Sequence, residues 1–304
     1  MADGASLPLR VWPAENPSAV IVALHGFNDY SNGFAMPGPW FAERGISVYA
    51  YDQRGFGAAP GRGRWPGSDR LVKDARTMLA LVRTRHQGLP VYLLGTSMGA
   101  AIAMVSSAGH HNPQADGLIL VGPAVRGGSA LNPLYAAGLW MAAHTIPWVR
   151  LTGDGLGFQA SDNIDVLRGL SRDPLVIKAT RVDAAYGLVG LMEDASVAAG
   201  SVDLPVLLLH GEKDELVPEG PVNGVYDNLN GQTTIGFYPD GWHLLLRDLE
   251  REIVWRDIRS WIAAPKTQKV VLPSGLNGHR TASGEPSRTP KIDTGQSLCS
   301  AGRI

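Results

Sequence analysis

Apolar residues along this chain fall into short continuous runs, separated by longer segments with helical spacing. The runs cover residues 19–24, 46–51, 91–95, 117–121, 206–210 and 233–238. They are continuous rather than alternating, as strands covered on both faces of a parallel sheet require. Between them, residues 69–86 place Leu71, Ala75, Met78, Leu79 and Val82 on one helical face. Residues 100–107 are small and helix-compatible, and Leu245, Leu249, Ile253, Ile258 and Trp261 stripe a final helix. Strands alternating with helices predict an α/β fold, with a mostly parallel central sheet flanked by helices.

The rhythm breaks over residues 124–200. That segment lacks strand runs and concentrates Trp140, Met141, Ile146, Trp148, Leu156, Phe158, Leu167, Leu170, Tyr186 and Met192. It is too long for one connection, so it reads as a helical cap inserted over the sheet. An inner face drawn from Trp140, Met141, Ile146, Trp148, Leu156 and Phe158 is expected to form an apolar groove. Residues 1–123 and 201–264 then make the core. From Pro265 to Ile304 the composition turns to Ser, Thr, Gly, Pro and Lys, which predicts a disordered tail.

Composition narrows the chemistry. With 304 residues, a formal net charge of −1 and 18% charged residues, nothing draws this chain to nucleic acid or an anionic membrane. The single cysteine, Cys299, excludes an internal disulfide and a cysteine-rich zinc site. No apolar stretch reaches the roughly 18 residues a membrane-spanning helix needs. The N-terminus lacks the basic start and apolar run of a signal peptide, so the chain as written reads as cytoplasmic. Asp3-Gly4 is a hairpin-turn signal before the alternating Leu7, Leu9 and Val11. Only two residues precede it, so the strand it calls for, and any targeting segment with it, would lie upstream.

The strand at 91–95 runs into Gly95-Thr96-Ser97-Met98-Gly99 and then into helical sequence. G-x-S-x-G in that context is a nucleophile elbow, a sharp turn that projects the serine hydroxyl and needs small residues around it. The helix start behind it offers free N–H groups and a positive dipole end to developing negative charge. In such architectures the second oxyanion N–H comes from the loop after an earlier strand. Here that loop is His25-Gly26-Phe27-Asn28, so the backbone amides of Phe27 and Met98 are the expected oxyanion hole. The His25 side chain, at a strand end, reads as structural.

The acid and base should follow in the order Ser, Asp or Glu, His. The loop His210-Gly211-Glu212-Lys213-Asp214-Glu215 follows a strand run, and Asp214 sits where a short side chain can reach an imidazole. Glu212 and Glu215 are the alternatives in the same loop. Gly241-Trp242-His243 follows the strand run 233–238, which makes His243 the base. His86 ends an amphipathic helix, His110 and His111 lie in a polar loop, His144 is inside the insertion, His210 is on a strand, and His279 is in the tail.

Five segments together carry a resemblance: His25-Gly26-Phe27-Asn28-Asp29-Tyr30-Ser31, Asp52-Gln53-Arg54-Gly55-Phe56-Gly57, the Ser97 elbow, residues 211–218, and Gly241-Trp242-His243. They resemble the α/β-hydrolase superfamily and, within it, the monoacylglycerol lipase/lysophospholipase branch, which is serine aminopeptidase S33-like. The resemblance covers about residues 5–263 and is weakest across the insertion. Relatives often carry a second glycine where this chain has Ala100, a departure that leaves the elbow intact. The resemblance also implies that Asp52–Arg54 packs near the active-site loops without taking part in the chemistry.

No cofactor is called for. Gly153-Asp154-Gly155-Leu156-Gly157 lacks the preceding strand of a dinucleotide fingerprint, and no P-loop, HExxH or CxxC pair occurs. The expected activity is hydrolysis of a carboxylic ester with an apolar acyl chain, of monoacylglycerol or lysophospholipid type. A general esterase, thioesterase or peptidase acting on small substrates is the alternative. A ligand receptor that keeps the triad but turns over slowly is a third reading. Oligomeric state is not legible in the sequence.

Overall fold

The computed structural model describes residues 1, 3–109, 115–125, 132–152 and 157–264. The expected tail, Cys299, His110 and His111 lie outside them. In chain order the first elements are β1 (Leu9–Trp12), β2 (Ala19–Leu24), α1 (Pro37–Ala42), β3 (Ile46–Tyr51), α2 (Ser68–Arg85), β4 (Val91–Thr96), α3 (Met98–Ser107) and β5 (Gly117–Val121). Next come α4 (Pro133–Thr145), β6 (Arg150–Thr152), α5 (Ile164–Arg172), β7 (Ala179–Arg181) and α6 (Val182–Ala198). The chain returns through β8 (Val206–Gly211), α7 (Glu219–Asn228), β9 (Thr233–Tyr238) and α8 (Arg251–Ala263).

Seven strands form one sheet in the order β1-β3-β2-β4-β5-β8-β9, parallel except for β1, which runs antiparallel to β3. Every residue of β2, β3, β5 and β8 is buried, which explains their unbroken apolar runs. Alternate side chains go to opposite faces. Val20, Val22 and Leu24 join Leu93, Leu118 and Leu208 under α2, α3, α6 and α7. Ile21 and Ala23 join Leu94, Ile119 and Leu207 under Phe41 of α1 and Trp255, Ile258 and Trp261 of α8. No described helix is long and apolar enough to cross a membrane.

Several expectations change. The segment between β5 and β8 does contain strands: β6 and β7 pair antiparallel as a separate two-stranded sheet. Each is three residues long, below the length at which an apolar run stands out. Helices α1 (PGPWFA) and α7 (EGPVNGVYDN) were not legible, because Pro and Gly are poor helix formers. The last helix starts at Arg251, not at Leu245. Residues 244–248 form turns in which Arg247 and Asp248 N–H both donate to the Leu244 carbonyl, and Leu249 is left exposed. At the N-terminus, Asp3 pairs with Arg54 and Arg70 beside the turn, and β3 is the partner of β1.

Candidate active site

Neighbouring strands deliver the chemistry to one edge of the sheet. In sheet order, β2 ends at the His25–Asn28 loop, β4 at Ser97, β5 at Gly122, β8 at the Asp214 loop and β9 at the His243 loop. All five loops leave the carboxyl ends of parallel strands, where open α/β sheets place their ligands.

Ser97 is the N-cap of α3 and has φ 52°, ψ −116°. Among the described residues, Ser97 and Asn28 (φ 64°) are the non-glycine residues at positive φ. Such conformations cost about 1–3 kcal/mol each and persist only where the surroundings impose them. Here both fall in the same site. Small neighbours make the turn possible: a Cβ on Gly99 would lie 2.1 Å from the Leu24 carbonyl oxygen. A Cβ on Gly26 would lie 3.4 Å from that of Ser97, so the loop after β2 passes directly beside the serine. Among the described residues, the N–H groups of Phe27 and Met98 engage no acceptor. Met98 opens α3, where the first turn always leaves N–H groups free.

Asp214 and His243 meet through a 2.7 Å hydrogen bond between Oδ2 and Nδ1. The Asp214 side chain is fully buried, and its Oδ1 accepts the N–H groups of Leu216 and Val217, both at 2.9 Å. Burial raises its pKa, but the hydrogen bond from His243, the electrostatic pull of that ring and the Val217 N–H prevail, so the carboxyl sits below its ordinary value. Glu212 and Glu215, the other acids of the loop, are exposed. Gly122, at φ 51°, passes so close that a Cβ would approach Asp214 Oδ2 at 3.5 Å and His243 Nδ1 at 3.6 Å. Its sequence context, a strand end followed by proline, gave no sign of this contact.

Ser97 and His243 line one cavity of about 370 Å³, together with Gly26 and Phe27. Its apolar wall comes from Leu170 of α5, Leu188 and Met192 of α6, and from Val176, Leu216 and Val217. This corrects the expected groove. Trp140, Met141, Ile146, Trp148 and Phe158 are all exposed and none lines the cavity, while Leu156 lies outside the described residues. Helix α4 is apolar nearly all round and buries no residue, so its composition does not reveal which side faces inward. Among the described residues, no group of His, Cys, Asp and Glu side chains could hold a metal ion.

Two further histidines are buried nearby. His25 Nε2 accepts the Gln53 N–H at 2.9 Å, which leaves Nδ1 protonated and bonded to the Gly26 carbonyl at 2.8 Å. His210 lies beneath the acid, with Nδ1 3.9 Å from Asp214 Oδ2. Burial lowers the pKa of both. The unfolded chain takes up protons below about pH 6.5 that the folded chain refuses. Stability is therefore full above that pH and falls beneath it. We expect a lower Tm at pH 5.5 than at pH 7.5, with a smaller fall in His210→Gln; equal falls in both proteins would remove His210 from this account.

Residues 15–250 match the family described as Serine aminopeptidase, S33. The chain is 27% identical to a monoacylglycerol lipase of Mycolicibacterium smegmatis, over 86% of this chain and 94% of that one. It is 28% identical to the human monoglyceride lipase, over 86% of this chain and 88% of that one. Among solved structures, a soluble variant of the Saccharomyces cerevisiae monoglyceride lipase in complex with a substrate analogue superposes with a TM-score of 0.74 at 18% identity, covering 86% and 92% of the two chains. The Paleococcus ferrophilus monoacylglycerol lipase gives 0.72 at 22% identity, covering 84% and 98%. A match over most of the chain, carried on the same fold, decides the question: this protein is a hydrolase of the α/β-hydrolase fold that resembles the monoacylglycerol lipases, and it belongs to the serine aminopeptidase S33 family.

Proposed function

We propose that the protein is a serine esterase that cleaves carboxylic esters with an apolar acyl chain, of monoacylglycerol or lysophospholipid type. The observation that carries this reading is the largely apolar cavity opening on Ser97 beside the Asp214–His243 pair. Residues 124–200 act as a cap over the core formed by residues 1–123 and 201–264, and contribute Leu170, Val176, Leu188 and Met192 to the cavity wall. Asn28, Asp29 and Arg247 give one side of the wall polar character suited to an alcohol portion.

In the proposed mechanism His243 takes the Ser97 hydroxyl proton as the oxygen attacks the ester carbonyl. Its Nδ1–H stays on Asp214, which holds the tautomer and stabilises the imidazolium that forms. The Phe27 and Met98 N–H groups bind the oxyanion. His243 then protonates the departing alcohol, and water, activated by the same imidazole, releases the acid from the acyl-enzyme. The chemistry calls for no cofactor.

The test is kcat/KM for soluble esters from acetate to decanoate, each below its critical micelle concentration. Each methylene moved from water into an apolar wall is worth about 0.8 kcal/mol at best, or roughly fourfold. A steady rise to a medium chain is expected until the cavity is full. If acetate is best and longer chains are progressively worse, the site serves a small-substrate esterase instead.

A further inference from the structure

Five consecutive residues of the insertion bond to the loops that carry Asp214 and His243. The Gln159 N–H donates to Glu215 Oε2 at 2.7 Å. The Ala160 carbonyl accepts the Leu244 N–H at 2.9 Å. Ser161 Oγ donates to Asp248 Oδ1 at 2.5 Å, and Asp248 Oδ2 accepts the Trp242 N–H at 2.8 Å. Asp162 Oδ1 accepts the Leu249 N–H at 2.9 Å, and Asn163 Nδ2 donates to the Arg247 carbonyl at 2.9 Å. His243 is thus held on both sides, at Trp242 and at Leu244. Ser161 is fully buried and Asp248 is 2% exposed, so water does not replace this bond.

We propose that Ser161 and Asp248 are positioning residues for His243, joining residues 159–163 as a strap across the turn that carries the imidazole. This rests on the reading of His243 as the base. Burial pushes the Asp248 carboxyl up, and the Ser161 hydroxyl and Trp242 N–H oppose that. Without the hydroxyl, the carboxylate keeps one donor in a site closed to water. It then takes a proton or turns from Trp242, and either change lets the imidazole shift relative to Ser97. Displacements of about 1 Å at a reacting group cost on the order of 100-fold in rate. The strap makes the insertion more than a wall of the cavity, because its docking and the aim of the imidazole become one event.

The experiment uses the full chain and two readouts at a temperature well below melting: kcat and KM on a short soluble ester, and the rate of labelling by a fluorophosphonate. Ser161→Ala and Asp248→Ala should lower kcat and the labelling rate about 10- to 100-fold, with KM little changed. Ser161→Thr keeps the hydroxyl and should recover most of the rate. Asp248→Asn, which still accepts from Trp242, should do the same. A purely structural role would lower Tm and leave kcat per labelled site at the wild-type value, and that result overturns the proposal. Should Ser161→Ala not fold, Ser161→Cys fills the same space with a weaker donor; a wild-type kcat there overturns it equally. Failure of the wild-type protein to label at Ser97 would sink the esterase reading itself, a different outcome from equal labelling of wild type and Ser161→Ala.

Discussion

Ser97→Ala should abolish measurable ester turnover while leaving the fold intact. The proposed acyl-enzyme forms on the Ser97 oxygen; Thr96, the other hydroxyl of this elbow, donates its own proton to the Leu24 carbonyl at 3.5 Å. Loss of a triad member removes most of the rate enhancement and leaves only about 10³–10⁴-fold over water, supplied by the oxyanion hole and binding. Alanine at φ 52° is no easier to hold than serine, so the backbone strain persists and Tm should move little. A fluorophosphonate should label the wild type on Ser97 and leave the variant unlabelled. Activity retained in the variant, or label found on another serine, would overturn the assignment. His243 would then need another task, since its Nδ1 is already committed to Asp214.

The second large effect lies in the backbone. Gly99→Ala should destabilise the protein far more than an alanine elsewhere, because the added methyl meets main chain: the Leu24 oxygen at 2.1 Å and its carbonyl carbon at 2.6 Å. Neither can swing aside as a flexible side chain would, since Leu24 is paired with Gly95 across β2 and β4. Overpacking typically costs about 1–3 kcal/mol and occasionally more. For a domain of this size each kcal/mol moves Tm by about 2–4 °C, so a fall toward the upper end of about 2–12 °C is expected. Activity should drop as well, since α3 can relieve the clash only by moving Met98, whose N–H is half of the proposed oxyanion hole. Gly138→Ala is the control. Nothing lies within 4 Å of a Cβ there, and alanine in the interior of α4 should raise Tm slightly. Equal Tm changes for the two variants would refute the contact argument.

The strap, the elbow and the Asp214–His243 pair share one physical feature: each holds a reactive group through backbone or buried polar contacts rather than surface ion pairs. Asp214 takes two main-chain N–H groups on one oxygen and the imidazole on the other. Buried charge-assisted bonds of this kind are among the stronger ones a protein can make. They are also costly to leave half-made. That is why loss of a single partner, Ser161 included, is expected to register in rate as well as in stability.

What the chain order alone determined was whatever depends on local pattern. The limits of β2, β3, β5 and β9 were legible because their apolar runs end where turn residues begin. The elbow was legible because its glycines, strand and helix are contiguous. The Asp214 and His243 loops were legible as the first polar residues after strand runs, in the order such sites follow. Proximity between distant segments left no local trace. Gly122 lies 92 positions before Asp214 and reads as an ordinary strand end, yet the order β5-β8 sets it against both Asp214 and His243. Ser161 and Asp248 are common surface types, and only packing of the insertion buries them on each other. The cavity wall was decided last. Helix α4 carries the largest apolar residues and leaves them exposed, while the less apolar α5 and α6 turn Leu170, Leu188 and Met192 inward. Hydrophobicity is a property of each side chain, but which of several apolar helices faces the site is set by how they pack together, and that only the tertiary structure decides.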